Sequence, residues 1–105
     1  MLLVLEIGNT NILIGIYEDD RLRYHWRIET NQRKTEDEYG LVFTQILRHS
    51  AVDAQQIKGI IMSSVVPPIM PALINMCTKY FGIEPLVVGP GVKTGLNIKI
   101  DNPAQ

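Results

Sequence analysis

The sequence predicts an α/β fold in which a three-stranded antiparallel meander is followed by β-α-β units, so that the sheet is mixed. Two observations predict it. Three segments of strand length, two apolar and one alternating, follow one another from residue 1 to residue 29, separated only by short polar turns. Beyond them, two helical patterns alternate with further apolar segments of strand length, as in proteins whose helices cover the faces of a sheet.

The meander is predicted from its turns and its alternation. Residues 1–7 and 11–18 are apolar runs of strand length. Between them, Gly8-Asn9 is a glycine-first pair of the kind found in two-residue hairpins, and Asp19-Asp20 marks the next turn. Residues 21–29 alternate strictly between apolar and polar side chains, which predicts a half-buried third strand with its arginines on the solvated face.

The first helix is predicted from its cap and its apolar stripe. Thr35 and Glu38 have the spacing of a capping box, and acids in the first turn suit the helix dipole. Apolar residues at helical spacing then indicate an amphipathic helix from Glu36 to about His49.

The second half of the chain is predicted as a β-α-β unit with a short ending. Residues 57–65 are typical of a buried strand, which Pro67-Pro68 ends. A second helix follows, with Gly82 as its C-terminal cap. Residues 85–89 and 96–100 are predicted as short strands on either side of a glycine-rich loop.

Composition and net charge exclude several classes of protein. The chain has 105 residues, which favours one domain or a piece of one, and its net charge of −1 gives no electrostatic footprint for nucleic acid or an anionic membrane. A single cysteine, Cys77, excludes an internal disulfide and suits a reducing compartment. The N-terminal apolar run fits neither a signal peptide nor a membrane span. We therefore expect a soluble, cytoplasmic protein.

The stretch LEIGNTN is the first candidate site. Gly8 permits close approach of a ligand to the backbone. The three residues after it all carry donors for phosphate oxygens: Asn9, Thr10 and Asn11. Glu6, at the end of the strand, is placed to hold a hydrated Mg²⁺ that bridges the phosphates. An ordinary hairpin corner explains the same residues, and both interpretations stay open at this point.

Four other segments carry weaker signals. RLRYHWR combines bases with aromatics, as nucleic-acid sites do, but its alternation separates the two sets and favours a solvated strand face. The acids of KTEDE are explained by helix capping without a metal. Cys77 has no activating base nearby in the sequence, which favours a buried thiol. GPGVKTGL, residues 89–96, lacks the spacing of a P-loop and is either a flexible connection or a contact for a small molecule.

Taken together, the segments GNTN, YHWRIET, KTEDEYG, SSVVPPI, CTKYF and VVGPGVKTGLNIK closely resemble the bacterial type III pantothenate kinases, over essentially the whole chain. The resemblance implies the ribonuclease-H-like fold of the acetate and sugar kinase, heat-shock ATPase and actin superfamily, in which two similar domains face each other across a nucleotide cleft. Residues 1–105 are then expected to be the first domain, with the second domain absent from this chain. The implied reaction is ATP-dependent phosphorylation of pantothenate to 4'-phosphopantothenate, the first step of coenzyme A biosynthesis.

The resemblance also implies roles for individual residues. The ATP phosphates are expected on the turn from Gly8 to Asn11, with Glu6 orienting Mg²⁺ through water. The loop at residues 89–96 and position 100 are expected to line the pantothenate side. Family members use Mg²⁺ and a monovalent cation, K⁺ or NH₄⁺, and look like dimers. The family has aspartate at position 6, and close relatives have tyrosine at position 100, where this chain has Glu6 and Ile100.

The family's general base, the aspartate of a G-A-D-R motif, is expected after Gln105. This chain then has no catalytic residue of its own and little or no activity by itself, because one of the two domains alone cannot hold ATP and its acceptor in line for phosphoryl transfer. Two other functions stay open. One is a non-catalytic module that binds phosphate or nucleotide, or serves as an interaction surface. The other is a kinase of the same superfamily with another acceptor.

Overall fold

A computed structural model describes residues 1–89, and its elements follow the predicted order. The strands are β1 (Leu2–Ile7), β2 (Asn11–Glu18), β3 (Arg21–Glu29), β4 (Gly59–Ser64) and β5 (Leu86–Val88). The helices are α1 (Glu36–His49) and α2 (Met70–Met76). Three short helical turns accompany them: Ala54–Gln56, Pro67–Ile69 and Cys77–Phe81. The strand predicted at residues 96–100 lies outside the described residues.

The five strands form one mixed sheet in the order β3-β2-β1-β4-β5. β2 pairs antiparallel with β1 and with β3, which confirms the meander. β4 pairs parallel with β1, and β5 pairs parallel with β4, as β-α-β units require. The first strand of the chain is therefore the central strand of the sheet. The predicted alternation of β3 is confirmed, because its odd-numbered positions are exposed and its even-numbered positions are half-buried.

Helix α1 begins at the predicted capping box. The backbone N–H of Glu38 donates to Thr35 Oγ1 at 3.2 Å, and the N–H of Thr35 donates to Glu38 Oε1 at 2.8 Å. These two bonds satisfy donors that a helix start otherwise leaves unpaired. The helix buries Tyr39, Phe43 and Leu47 against the sheet.

The second helix differs from its prediction. α2 ends at Met76, and the chain continues as a π-helical turn over Cys77–Phe81 before Gly82 closes it. Gly82 has a φ of 66°, the left-handed conformation expected of a C-terminal glycine cap. A π-helical turn is wider than an α-helical one, and this turn carries Tyr80 to the surface of α1.

Tyr80 reaches α1 at a point where that helix has no side chain. An added Cβ on Gly40 would overlap the Tyr80 ring, so only glycine leaves room for it. The Tyr80 hydroxyl donates to Asp37 Oδ1 at 2.8 Å, and Lys79 Nζ donates to the same oxygen at 2.7 Å. The hydrogen bond from Lys79, and then that from Tyr80, lowers the pKa of Asp37 below its ordinary value.

The hydrophobic core lies on one face of the sheet. Leu3, Leu5 and Ile7 of β1 belong to the same buried cluster as Phe43 of α1 and Leu73 of α2. Both described helices therefore lie against this one face. Because side chains alternate along a strand, Val4 and Glu6 of β1 point to the opposite face. Within residues 1–89, no helix has the length and hydropathy needed to cross a bilayer.

Candidate functional site

The turn between β1 and β2 holds the residues of the first candidate site. The Gly8 N–H donates to the Asn11 carbonyl at 2.9 Å, which leaves Asn9 and Thr10 as the two residues at the tip. The hairpin is confirmed, but its tip lies one residue later than the Gly8-Asn9 pair. None of residues 8–11, all of them described, has a positive φ. This turn therefore does not use the mirror conformations that favour glycine in tight hairpins.

The turn lies at the end of the sheet formed by the carboxyl ends of its parallel strands. β1 and β4 are parallel neighbours, so the segments that follow them leave from the same edge. After β1 the chain turns toward β2 on one side, and after β4 it leads to β5 on the other. In open α/β sheets, ligands bind outside the carboxyl ends of the strands, where the connections diverge in this way. The LEIGNTN turn therefore lies at the carboxyl end of β1, next to the carboxyl end of its parallel neighbour β4.

The structure brings Glu6 and residues 8–11 together at this edge. The side chains of Glu6, Asn9 and Thr10 are exposed, and Asn11 is half-buried. Ser63 of β4 is the register partner of Glu6 in the parallel pair, so the two side chains are neighbours on the same face. Ser63 was not predicted as a site residue. The pairing of β1 with β4 comes from the structure, although SSVVPPI was one of the segments behind the family resemblance.

Thr30, just after β3, is hydrogen-bonded to the turn from one side. Its hydroxyl donates to the Gly8 carbonyl at 2.8 Å, and its backbone N–H donates to the Thr10 carbonyl at 2.8 Å. On the β4 side, the Val65 N–H donates to the Ile7 carbonyl at 3.1 Å. This contact was not predicted from the sequence. The only local signal was a threonine directly after a predicted strand.

The donor chemistry of this edge fits one type of metal binding. No cluster of three or more histidine, cysteine, aspartate or glutamate side chains suited to a metal occurs in the part of the chain that the structure describes. A fully protein-held ion is therefore not supported there. Mg²⁺ is commonly held by one or two carboxylates, several waters and substrate phosphates. The exposed Glu6 carboxylate fits that mode.

The other predicted candidates have different outcomes. Cys77 is fully buried, so the prediction of a buried thiol is confirmed, and burial raises the pKa of this thiol to about 12. In the loop at residues 89–96, Gly89 is the one residue that is described; the rest of that loop and Ile100 lie outside the described residues.

A surface groove of about 650 Å³ lies between β3 and α1, away from the turn. Its lining is Trp26, Val42, Gln45, Ile46, Arg48 and His49. Neither the sequence patterns nor the sheet topology associates this groove with phosphate chemistry, so it is not part of the candidate site.

Two solved structures are similar to this chain to different degrees. A putative N-acetylglucosamine kinase from Porphyromonas gingivalis matches with a TM-score of 0.61 at 14% identity, over 85% of this chain and 34% of that chain. A Ppx/GppA family member from Aquifex aeolicus matches with a TM-score of 0.44 at 12% identity, over 85% of this chain and 35% of that chain. This chain therefore spans about a third of the length of each. At such identity the first match establishes the fold, which is that of the actin-like ATPases.

The family is established by sequence. A family model described as type III pantothenate kinase matches residues 2–105, nearly the entire chain. The chain therefore belongs to the type III pantothenate kinase family.

Proposed function

We propose that this chain is the first domain of a kinase that transfers the γ-phosphoryl group of ATP to pantothenate, giving 4'-phosphopantothenate for coenzyme A biosynthesis. The observation that carries the proposal is the family match over residues 2–105. The position of the Gly8–Asn11 turn, at the edge where ligands bind in open α/β sheets, agrees with it.

The turn supplies the groups that phosphate needs. Successive backbone N–H groups in a turn form a concave site for anions, and nearby hydroxyl and amide side chains add donors. Thr10 and Asn9 are exposed at the tip, where phosphate oxygens have access to them. Phosphoryl transfer depends mostly on positioning and on neutralising charge, so a rigid set of donors is the main contribution of this domain.

Glu6 is proposed as the residue that holds Mg²⁺ through a water. A bound Mg²⁺ neutralises the negative charge that develops on the transferring phosphoryl group. The carboxylate of Glu6 is exposed beside the turn, and its register partner Ser63 adds a hydroxyl on the same face. The glutamate side chain is one methylene longer than the family's aspartate and shifts the carboxylate by about 1.5 Å, which is enough to alter the position of a metal-bound water.

The remaining parts of the reaction belong to the rest of the kinase. The loop at residues 89–96 and Ile100 are proposed to face pantothenate, and the general base and second phosphate turn are proposed to lie in a second domain. A monovalent cation and a homodimer are proposed for the complete enzyme. The 105-residue chain alone is then expected to bind nucleotide weakly and to catalyse little.

A chimera tests the proposal. The chain is fused to the second domain of a characterised type III pantothenate kinase, and ATP-dependent phosphorylation of pantothenate is compared between chain and chimera. We expect activity in the chimera alone. Asn9→Ala at the turn should lower kcat/KM by about tenfold, which corresponds to the loss of one hydrogen bond worth about 1.4 kcal/mol. The matched control is Asn75→Ala on the exposed side of α2, which should leave kcat/KM unchanged.

The same assay separates the alternatives. A chimera that leaves pantothenate untouched but phosphorylates another alcohol, such as an amino sugar, would identify a kinase with a different acceptor. A chimera that binds ATP without any phosphoryl transfer would favour a non-catalytic nucleotide-binding module. If Asn9→Ala and Asn75→Ala behave alike in an active chimera, the turn has no role in the reaction.

A further inference from the structure

Thr30 contacts the candidate phosphate turn at two points. Its hydroxyl donates to the carbonyl of Gly8, and its backbone N–H donates to the carbonyl of Thr10, each at 2.8 Å. These two carbonyls flank the tip of the turn, with Asn9 between them. One residue, separated from Gly8 by 22 positions, therefore ties both sides of the turn to the end of β3.

The segment that carries Thr30 is anchored to the core. The hydroxyl of Tyr39 accepts from the Asn31 N–H at 2.9 Å and donates to the Asn31 carbonyl at 2.7 Å. Tyr39 is fully buried and packs edge-on against Phe43 of α1. The residue after Thr30 is thus held at both of its backbone polar groups by a side chain that cannot easily move. A continuous path of contacts leads from the core through Tyr39, Asn31 and Thr30 to the turn.

The bond from Thr30 sets the direction of one amide. In a planar trans peptide, the carbonyl of one residue and the N–H of the next point in opposite directions. Because the Gly8 carbonyl points toward the Thr30 hydroxyl, the Asn9 N–H points away from Thr30. Without that hydroxyl, the Gly8–Asn9 peptide loses the contact that fixes its rotation. An amide fixed in advance binds an anion without first losing that freedom.

We propose that Thr30 is a positioning residue that holds the Gly8–Asn9 peptide so that the Asn9 N–H faces the incoming phosphate of a nucleotide. This inference rests on the proposed function of the turn. It adds to the site a residue that follows a different strand, β3, and assigns it a role that acts through the turn, with no contact to the nucleotide itself.

Replacing Thr30 by valine and by serine tests the inference on the 105-residue chain. Valine keeps the shape and removes the hydroxyl, whereas serine keeps the hydroxyl. The dissociation constant for Mg-ATP is measured from amide shifts in ¹⁵N-labelled protein, and the free energy of unfolding is measured in urea. We expect Thr30→Val to weaken binding by about three- to tenfold, the range that corresponds to one hydrogen bond, and Thr30→Ser to stay within about twofold of wild type.

A matched control separates positioning from general loss of stability. Thr44 donates its hydroxyl to the Gly40 carbonyl at 2.9 Å within α1, outside the path to the turn. Thr44→Val removes the same group and should leave the affinity for Mg-ATP unchanged, even if it lowers stability as much as Thr30→Val does. The Asn9 amide resonance should shift in nucleotide-free Thr30→Val and stay in place in Thr44→Val.

The outcomes for Thr30 and for the turn are distinguishable. If wild type binds Mg-ATP at the turn and Thr30→Val binds it equally well, the role of Thr30 is wrong while the proposed function stands. If wild-type turn amides do not respond to Mg-ATP at all, the nucleotide role of the turn is wrong, and the role of Thr30 falls with it. If Thr30→Val and Thr44→Val weaken Mg-ATP binding equally, the effect comes from a general loss of stability, and the inference is also overturned.

Discussion

Replacing Gly40 with alanine tests how closely α1 packs against the π-helical turn. A Cβ on Gly40 would meet three atoms of the Tyr80 ring, of which Cζ is the farthest at 2.6 Å. Because ordinary contacts begin at 3.4 Å, even this farthest atom has to retreat by about 0.8 Å, and the two nearer ring atoms have to retreat farther. That movement also pulls the Tyr80 hydroxyl from Asp37 Oδ1, to which it donates at 2.8 Å.

The expected loss of stability follows from two opposing effects. Overpacking costs about 1–3 kcal/mol, and three clashing ring atoms favour the upper end of that range. Alanine gains about 1 kcal/mol over glycine in a helix interior. We therefore expect Gly40→Ala to lower the free energy of unfolding by about 2 kcal/mol, which corresponds to a fall in Tm of roughly 10 °C for a chain of this size.

Urea unfolding followed by circular dichroism measures the effect in Gly40→Ala, in Tyr80→Ala and in the double variant. The double variant should lose less than the sum of the single losses, because alanine at position 80 removes the clash. Gly59→Ala is the control, since its Cβ would meet only a flexible methyl of Leu2 at 3.2 Å. If Gly40→Ala is as stable as wild type, or if the single losses simply add, the packing of Tyr80 on Gly40 is not the constraint we infer.

Three further predictions address the core, the path to the turn and the metal. Burial raises the pKa of the Cys77 thiol from 9.0 to about 12. The stabilisation that comes from burying the neutral thiol is therefore complete below pH 9 and is lost as the pH rises toward 12. Between pH 9 and 10, the free energy of unfolding measured in urea should fall by about 1 kcal/mol more for wild type than for Cys77→Ala. Tyr39→Phe removes both bonds to Asn31 and should cost about 1–3 kcal/mol, with faster hydrogen exchange at the Asn31 amide. In the active chimera, Glu6→Gln should raise the Mg²⁺ concentration needed for half-maximal rate by roughly tenfold or more, because a charged group that orients a metal-bound water is lost.

Each of these predictions has a result that contradicts it. Equal pH dependence of wild type and Cys77→Ala would mean that the thiol is accessible to water. Unchanged exchange at Asn31 in Tyr39→Phe would mean that the phenol does not hold that segment. An unaltered Mg²⁺ requirement in Glu6→Gln would remove Glu6 from the metal site.

Local patterns made much of the fold predictable. The Thr35 and Glu38 spacing predicted the start of α1 because a capping box involves only residues within one helical turn. The alternation over residues 21–29 predicted both the length and the two faces of β3. These features depend on short-range geometry, which the sequence carries directly. The Gly8–Asn11 turn was predictable as a candidate site for the same reason, since all its donors are consecutive.

Features that depend on distant residues were not predictable. The π-helical turn at Cys77–Phe81 accompanies the packing of Tyr80 into the gap left by Gly40, 40 positions earlier, and no local pattern announces it. The predicted position of the hairpin tip was wrong by one residue, because strand register, not the glycine alone, decides which residues form the turn. Thr30 was missed because its partners, Gly8 and Thr10, lie on another strand connection and meet it only in the folded sheet.

Binding of nucleotide phosphates at the Gly8–Asn11 turn is measured most directly by titrating Mg-ATP into the ¹⁵N-labelled chain, with adenosine as the matched ligand that lacks phosphates. We expect the amides of residues 8–11 to shift with Mg-ATP and not with adenosine, while the indole N–H of Trp26 in the distant groove stays in place. Turn amides that remain still under saturating Mg-ATP, or that respond equally to adenosine, would contradict this expectation.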